Sequence, residues 1–282
     1  MRGSRPRALF ALFALTLVAA GCSGRTIVAV DPYPCAEGGA TGCAPGLLDD
    51  LIGWWRLDDA PGSATAHDWS GRGNDGTLVG LDPATVWVAD GPEKGALSVA
   101  GQGYVNVPAS ASIDSITDQV TVAAWIFLTA PVAAGTYATA ISRQIGAGYD
   151  QHYHLSVNGQ QQAILFITTP MAGQVVLGSP MTIPQQTWVH LAGTYDGSQA
   201  RLYVNGVEVL SAAATGSFAA ETDPVVLSGN GNGTAKTVSE FVPGQLDEVM
   251  LYRRALGSDE IARLEGGALL PSTGPHSDGG GQ

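Results

Sequence analysis

The chain is poor in charge. Only 13% of its 282 residues are Asp, Glu, Lys or Arg, about half the usual share of a soluble protein. Bases are the scarcer kind: 13 Lys and Arg stand against 25 Asp and Glu, a net charge of −12. A phosphate backbone needs a basic footprint, so nucleic acid is excluded as a partner. Cysteine is almost missing, with three residues and no histidine close to them, which disfavours a zinc-type site. No Gly-x-Ser-x-Gly elbow is present. Gly101-Gln102-Gly103 and Gly229 to Gly233 are glycine-rich, but neither leads into a helix that would hold phosphate. Long helical periodicity and fixed-period repeats are absent too.

Long apolar runs are equally rare. The unbroken uncharged run Ala8 to Ala20, rich in Leu, Phe and Ala, has thirteen residues, short of the ~20 that span a bilayer. Arg2, Arg5 and Arg7 precede it and Ala19-Ala20-Gly21-Cys22 follows. A basic start, an apolar run and small residues make a secretion signal over residues 1–21. The last four resemble the lipobox of bacterial lipoproteins, with Ala19 where Leu is more usual. That resemblance implies cleavage before Cys22, acylation of its thiol and amine, and a stable anchor in the cell envelope. Ser23, rather than Asp, resembles the pattern sent to an outer membrane. Ordinary secretion with Cys22 incidental is the alternative. Cleavage removes three arginines and no acids, leaving the mature chain near −15.

Cys35 and Cys43 then remain as a pair in an oxidising compartment, expected to form a disulfide across a glycine-rich loop. Residues 22–49 carry Pro32, Pro34 and Pro45 without periodicity and read as a lipid-anchored flexible tether. Residues 269–282 read as a disordered tail by composition. Between them, 50–268, lies one β-rich domain.

What the chain has in quantity is turns, with 38 Gly and 16 Pro. Thr187 to Val209, TWVHLAGTYDGSQARLYVNGVEV, holds three alternating stretches separated by Asp196-Gly197-Ser198 and Asn205-Gly206. The second of these is the strongest short hairpin signal. Further strands are expected at Ile52–Leu57, Ala96–Val99, Tyr104–Val107, His152–Val157, Ala163–Thr168, Val225–Leu227 and Leu246–Tyr252. Val120 to Leu128, VTVAAWIFL, is apolar on both faces and is expected at the centre of a sheet, under cover. Trp54, Trp55, Trp125 and Trp188 are expected to fill core. Ser258 is placed as the cap of one short terminal helix with Asp259 and Glu260 in its first turn. Many short strands between turns indicate an all-β sandwich or barrel.

Three blocks carry a family resemblance. They are WWRLDD with DWSGRGNDGTL (Trp54–Leu78), GYVNVP with VTVAAWIFL (Gly103–Leu128), and the Thr187 hairpin with GQLDEVMLYRRALGSDEI (to Ile261). In this order they resemble the LamG-like jelly-roll domains of the concanavalin A-like lectin/glucanase superfamily. The resemblance implies a two-sheet antiparallel jelly-roll sandwich of about thirteen strands. It also implies a structural calcium held by Asp59 or Asp58, by Asn74 and Asp75, and by Asp247. The net acidity suits such a hard cation. The alternative for Asp68, Asn74 and Asp75 is plain turn chemistry, whereas Asp247, inside an apolar strand, needs a partner.

Glucanases of that superfamily use two carboxylates on one strand face. No Glu-x-Asp-x-x-Glu pattern occurs, and Asp247 and Glu248, being adjacent, are expected on opposite faces. His152 and His154 share a face without an evident third ligand and are expected as partly exposed strand residues. The expectation is therefore a non-catalytic, cell-surface recognition domain for carbohydrate or a protein partner. A structural envelope lipoprotein without sugar binding is the alternative, and a glycoside hydrolase a further one. Tyr104, Tyr137 and Tyr149 are the aromatic residues singled out for a sugar, and each has a structural alternative.

Overall fold

The computed structural model describes residues 46–144, 151–232 and 237–267. Cys22, Cys35, Cys43, Tyr149 and the 269–282 tail lie outside the described residues. In chain order the first strands are β1 (Leu51–Trp55), β2 (Thr65–Ala66), β3 (Gly76–Val79), β4 (Trp87–Val88), β5 (Ala96–Ser98) and β6 (Tyr104–Val107). A short helix α1 (Ala111–Asp114) precedes β7 (Val120–Leu128), β8 (Tyr137–Gln144), β9 (Gln151–Asn158) and β10 (Gln162–Thr169). Next come β11 (Gly173–Thr182), β12 (Trp188–Tyr195), β13 (Gln199–Val204) and β14 (Val207–Ala213). The described chain closes with β15 (Val225–Leu227), β16 (Asn230–Asn232), β17 (Thr237–Ser239), β18 (Gly244–Tyr252) and the helix α2 (Ser258–Glu265).

Two eight-stranded antiparallel sheets face each other. Sheet A runs β14-β13-β12-β7-β18-β5-β4 with β1 also on β18, and sheet B runs β11-β10-β9-β8-β15-β6-β3-β2. This is the jelly-roll sandwich expected, with more strands than the resemblance implied. The core follows strand alternation: Val120, Val122, Ala124, Ile126 and Leu128 of β7 all enter the cluster between the sheets. Asn205 and Gly206 turn the β13–β14 hairpin with φ of 48° and 76°, the pair of positive values that a two-residue type I′ turn requires. β11 carries Pro180 and lies at a sheet edge, where a missing N–H is tolerated.

A second, smaller cluster lies on the outer face of sheet A. There α2 lays Ile261 and Leu264 on Trp54, Ala123, Ala192, Tyr203, Met250 and Tyr252. Gly257, one residue before the expected cap Ser258, is the N-cap of α2. Glu260 accepts the Gly257 N–H at 2.9 Å and grips Arg254 at 2.7 and 2.9 Å. Leu47 is buried in the same cluster, and Arg254 donates to the carbonyls of Gly46 and Asp49. The sandwich therefore holds residues 46–49, which the sequence reading assigned to the tether, because Leu47 gains apolar cover there.

β18 serves two short strands on one side. β5 pairs at Gln245 and Leu246, and β1 pairs from Val249 to Tyr252. Between the two the ladder to β7 slips, and Glu248 takes a φ of 47°. Leu246 and Val249 both point into the core, with two residues between them instead of one. That is a β-bulge. It turns Asp247 and Glu248 to the same outer face, correcting the expectation that adjacent residues diverge: strict alternation fails where the strand carries an extra residue.

Candidate functional site

The bulge lies in the gap between the ends of β1 and β5, and acidic residues converge there from three segments. Asp58 follows β1, Glu93 precedes β5, and Asp247 and Glu248 come from β18. Glu248 accepts from the Trp54 indole at 2.5 Å and lies 3.7 Å from Arg56. Arg56 pairs with Asp58 at 2.9 Å, and its guanidinium stands 4.9 Å over the Trp69 ring. Burial, opposed by the Trp54 bond and Arg56, leaves the Glu248 carboxyl pushed up to about 7.

Asp247 is 1% exposed, and neither of its oxygens has a partner of good hydrogen-bond geometry among the described residues. Burial first, then the neighbouring Glu248, push its carboxyl up to about 9. The backbone N–H groups of Glu93 and Glu248 lean towards it and offset this only in part. A Cβ added to Gly91 would stand 1.8 Å from the Gly95 carbonyl oxygen and 3.0 Å from Asp247 Oδ2. Having no side chain, Gly91 lets the Gly95 carbonyl and the Asp247 carboxylate both approach it. An orphaned carboxylate beside a carbonyl suits a hard cation, and calcium takes carboxylate, carbonyl and water oxygens together. Asp247, Asp58 and the Gly95 carbonyl fit that donor set. Among the described residues no three His, Cys, Asp or Glu side chains are grouped for a metal, so carbonyls and water would complete the shell.

The other expected ligands are employed elsewhere. Asn74 is buried, and its amide donates to the Ile52 carbonyl at 2.7 Å and accepts from Ser110 at 2.6 Å. Asp75 is exposed and accepts from the Asp68 N–H at 2.8 Å. Asp68 in turn binds the N–H groups of Trp54, Ser70 and Asn74. Asp59 is taken by His67, through both its ring and its N–H. The structure brings Asp58 and Asp247 together and keeps Asp59, Asn74 and Asp75 in a hydrogen-bonded loop and its neighbour.

Sheet B has its own polar cluster. Tyr137 is half-buried, edge-on to His154 at 5.8 Å and to Phe166 at 5.5 Å. His154 stacks on Phe166 at 4.9 Å, and its Nε2 lies 2.7 Å from the Thr139 hydroxyl, which reaches Glu240 at 3.2 Å. His152 and His154 are 1% and 2% exposed, not partly exposed as expected, because aromatic rings cover them. Burial lowers them to about 4 and about 3, so both are neutral. Tyr104 stacks on Phe241 at 6.2 Å.

The tryptophans divide. Trp55 is fully buried between the sheets and Trp54 lies beneath α2. Trp125 and Trp188 are only half-buried, as is Phe127, on the outer face of sheet A away from α2. The expectation of four core tryptophans fails for these two. In VTVAAWIFL both faces are apolar, so the sequence offers no sign of which side is open.

Fold and site together define a lectin-type jelly-roll sandwich with an acidic nest at a β-bulge. The chain belongs to the concanavalin A-like lectin/glucanases superfamily, which residues 99–262 match. Solved structures with the same fold include the binding domain of Paraclostridial Mosquitocidal Protein 1, with 17% identity and a TM-score of 0.59 over 78% of this chain. Domain 4 of AbnA, an extracellular arabinanase from Geobacillus stearothermophilus, was solved with arabinotriose. It shows 20% identity and a TM-score of 0.56 over 77% of this chain and 98% of its own. A Trypanosoma rangeli sialidase gives 17% identity and 0.57 over 84%. The chain spans 52% of the first and 35% of the sialidase. No curated protein sequence matches it.

Proposed function

We propose that this domain is a non-catalytic carbohydrate-recognition module, braced by a calcium ion at Asp247 and displayed on the cell envelope through acylated Cys22. The observation that carries the non-catalytic reading is the state of the only adjacent carboxylate pair inside a strand among the described residues. Asp247 and Glu248 are 1% and 5% exposed, and Glu248 is committed to Trp54 and Arg56. Hydrolysis needs two carboxyls flanking the scissile bond, and a sugar has no access to these. The superfamily and the complex of AbnA domain 4 with arabinotriose support a sugar as the ligand.

Calcium would neutralise Asp247 and Asp58 and fix the β1 and β5 ends around the bulge; it supplies no reaction step. A glycan array probed with the full chain tests recognition, and release of reducing ends from any polysaccharide hit tests hydrolysis. Binding without cleavage is expected. Cleavage abolished by Asp247→Asn would replace this reading with a hydrolase. Acylation is tested by mass spectrometry of the mature N-terminus.

A second reading rests on Met171 in the turn before β11, Val176 and Met181 along β11, and Val207 and Leu210 along β14, all exposed. These two edge strands border the same side of the sandwich, and an apolar edge suits assembly with an envelope protein. A blank array with a copurifying envelope protein would favour it.

A further inference from the structure

The registers of sheet A align a row of side chains across four strands. Trp188 of β12 is opposite Phe127 of β7, Phe127 is opposite Gln245 of β18, and Gln245 is opposite Ser98 of β5. Alternation puts all four on the outer face, since their neighbours Val189, Ile126, Leu246 and Leu97 enter the core. All four are half-buried, and the Trp188 and Phe127 rings meet at 5.4 Å. Helix α2 covers the other part of this face, over Ala123, Ala192 and Met250.

The row behind consists of His190, Trp125 and Asp247. Trp125 meets His190 edge-on at 5.3 Å, and His190, 2% exposed, has no partner for Nδ1 among the described residues. Strands ~4.8 Å apart make the front row about 14 Å long.

Two aromatic rings followed by an amide and a hydroxyl offer stacking surface beside neutral hydrogen-bonding groups. Sugar rings present the complementary pair, an apolar C–H face and a rim of hydroxyls. No charge stands in the row, and the acids Asp58, Glu93, Asp247 and Glu248 lie behind its β18–β5 half. A polyanion finds no cation in the row to pair with. The geometry points to the row Trp188–Phe127–Gln245–Ser98 as the docking platform for an uncharged glycan chain lying across the strands. This rests on the carbohydrate reading above and names its site.

Affinity gel electrophoresis of the full chain tests it, with arabinan, xylan, mixed-linkage β-glucan and dextran as neutral probes and polygalacturonate as the acidic one. The wild-type chain is retarded by at least one neutral polymer and not by polygalacturonate. Trp188→Ala weakens that retardation about tenfold or more, the loss of one aromatic anchor. Gln245→Glu, which removes no apolar contact and adds a charge, does the same with an unchanged melting temperature. If both variants bind as wild type does, the platform is overturned while carbohydrate recognition stands. Loss in Tyr137→Ala alone would move the site to sheet B. Retardation by no neutral polymer overturns both, and a wild-type dimer dissociated by Trp188→Ala makes the row a self-contact.

Discussion

Asp247 lies directly across the β-ladder from Trp125, so an orphaned buried carboxylate and a half-exposed indole share one face of one sheet. The first lies next to the surface on which the second stands. A cation at Asp247, as proposed, would brace the centre of that face as well as the ends of β1 and β5.

Removing that cation is expected to loosen the domain. With calcium at a hundredfold excess over its Kd, binding adds ~2.7 kcal/mol, which for a domain of this size moves the midpoint by about 5–10 °C. A thermal melt with and without chelator should show that drop. Asp247→Asn should melt at one temperature in both buffers, because the amide mimics the protonated acid and binds no ion.

Calcium affinity should rise with pH. Without the ion, burial and Glu248 hold the Asp247 carboxyl up at about 9, so it is protonated at neutral pH. Binding requires the anion and expels a proton, and affinity climbs as pH approaches 9, then levels off. Calcium titration calorimetry in buffers of different ionisation enthalpy reads the proton directly. A pH-independent affinity would place the ion elsewhere.

Acid should destabilise the domain through its buried histidines. Burial depresses His154 to about 3 and His190 to about 4, below their unfolded value. The stability they contribute is complete above ~6.5 and is lost as pH falls through the folded values, since the unfolded chain then binds more protons. Denaturant midpoints with calcium present, between pH 7 and 4, should fall. His154→Gln should give a shallower fall, whatever the variant's stability at pH 7.

Arg143 should be costly to remove. It is 1% exposed and donates to the Ile113 carbonyl at 3.0 Å, the Asp114 carboxylate at 2.5 Å and the Glu221 carbonyl at 2.8 Å. It ties α1 to the segment before β15. Arg143→Met leaves these acceptors unpaired, and a loss of about 3 kcal/mol or more in urea unfolding is expected.

Much of the fold was legible because its signals are local. The Thr187–Val209 hairpin needs only alternation and Asn205-Gly206, and β12, β13 and β14 formed as read. β8 and β11 escaped notice: YATAISRQ mixes both kinds of residue on each face, and GQVVLGSPMT carries glycines and a proline. The site was less legible. Asp58, as the alternative to Asp59, and Asp247 were named through the resemblance and the oddity of an acid in an apolar strand. Glu93 was not named and Glu248 was expected on the opposite face, because their arrival depends on a bulge and on a gap between two strands distant in sequence. An extra residue in GQLDEVMLY, between Leu246 and Val249, was the one available sign. The open row Trp188–Phe127 stayed hidden because exposure is a property of the whole sandwich.

The most direct test is equilibrium binding of the full chain to a glycan array hit, with calcium, with chelator and after calcium is restored. Carbohydrate recognition braced at Asp247 predicts measurable binding that weakens on chelation, returns with calcium, and is insensitive to chelator in Asp247→Asn. Absence of binding to every glycan, with and without calcium, would contradict it.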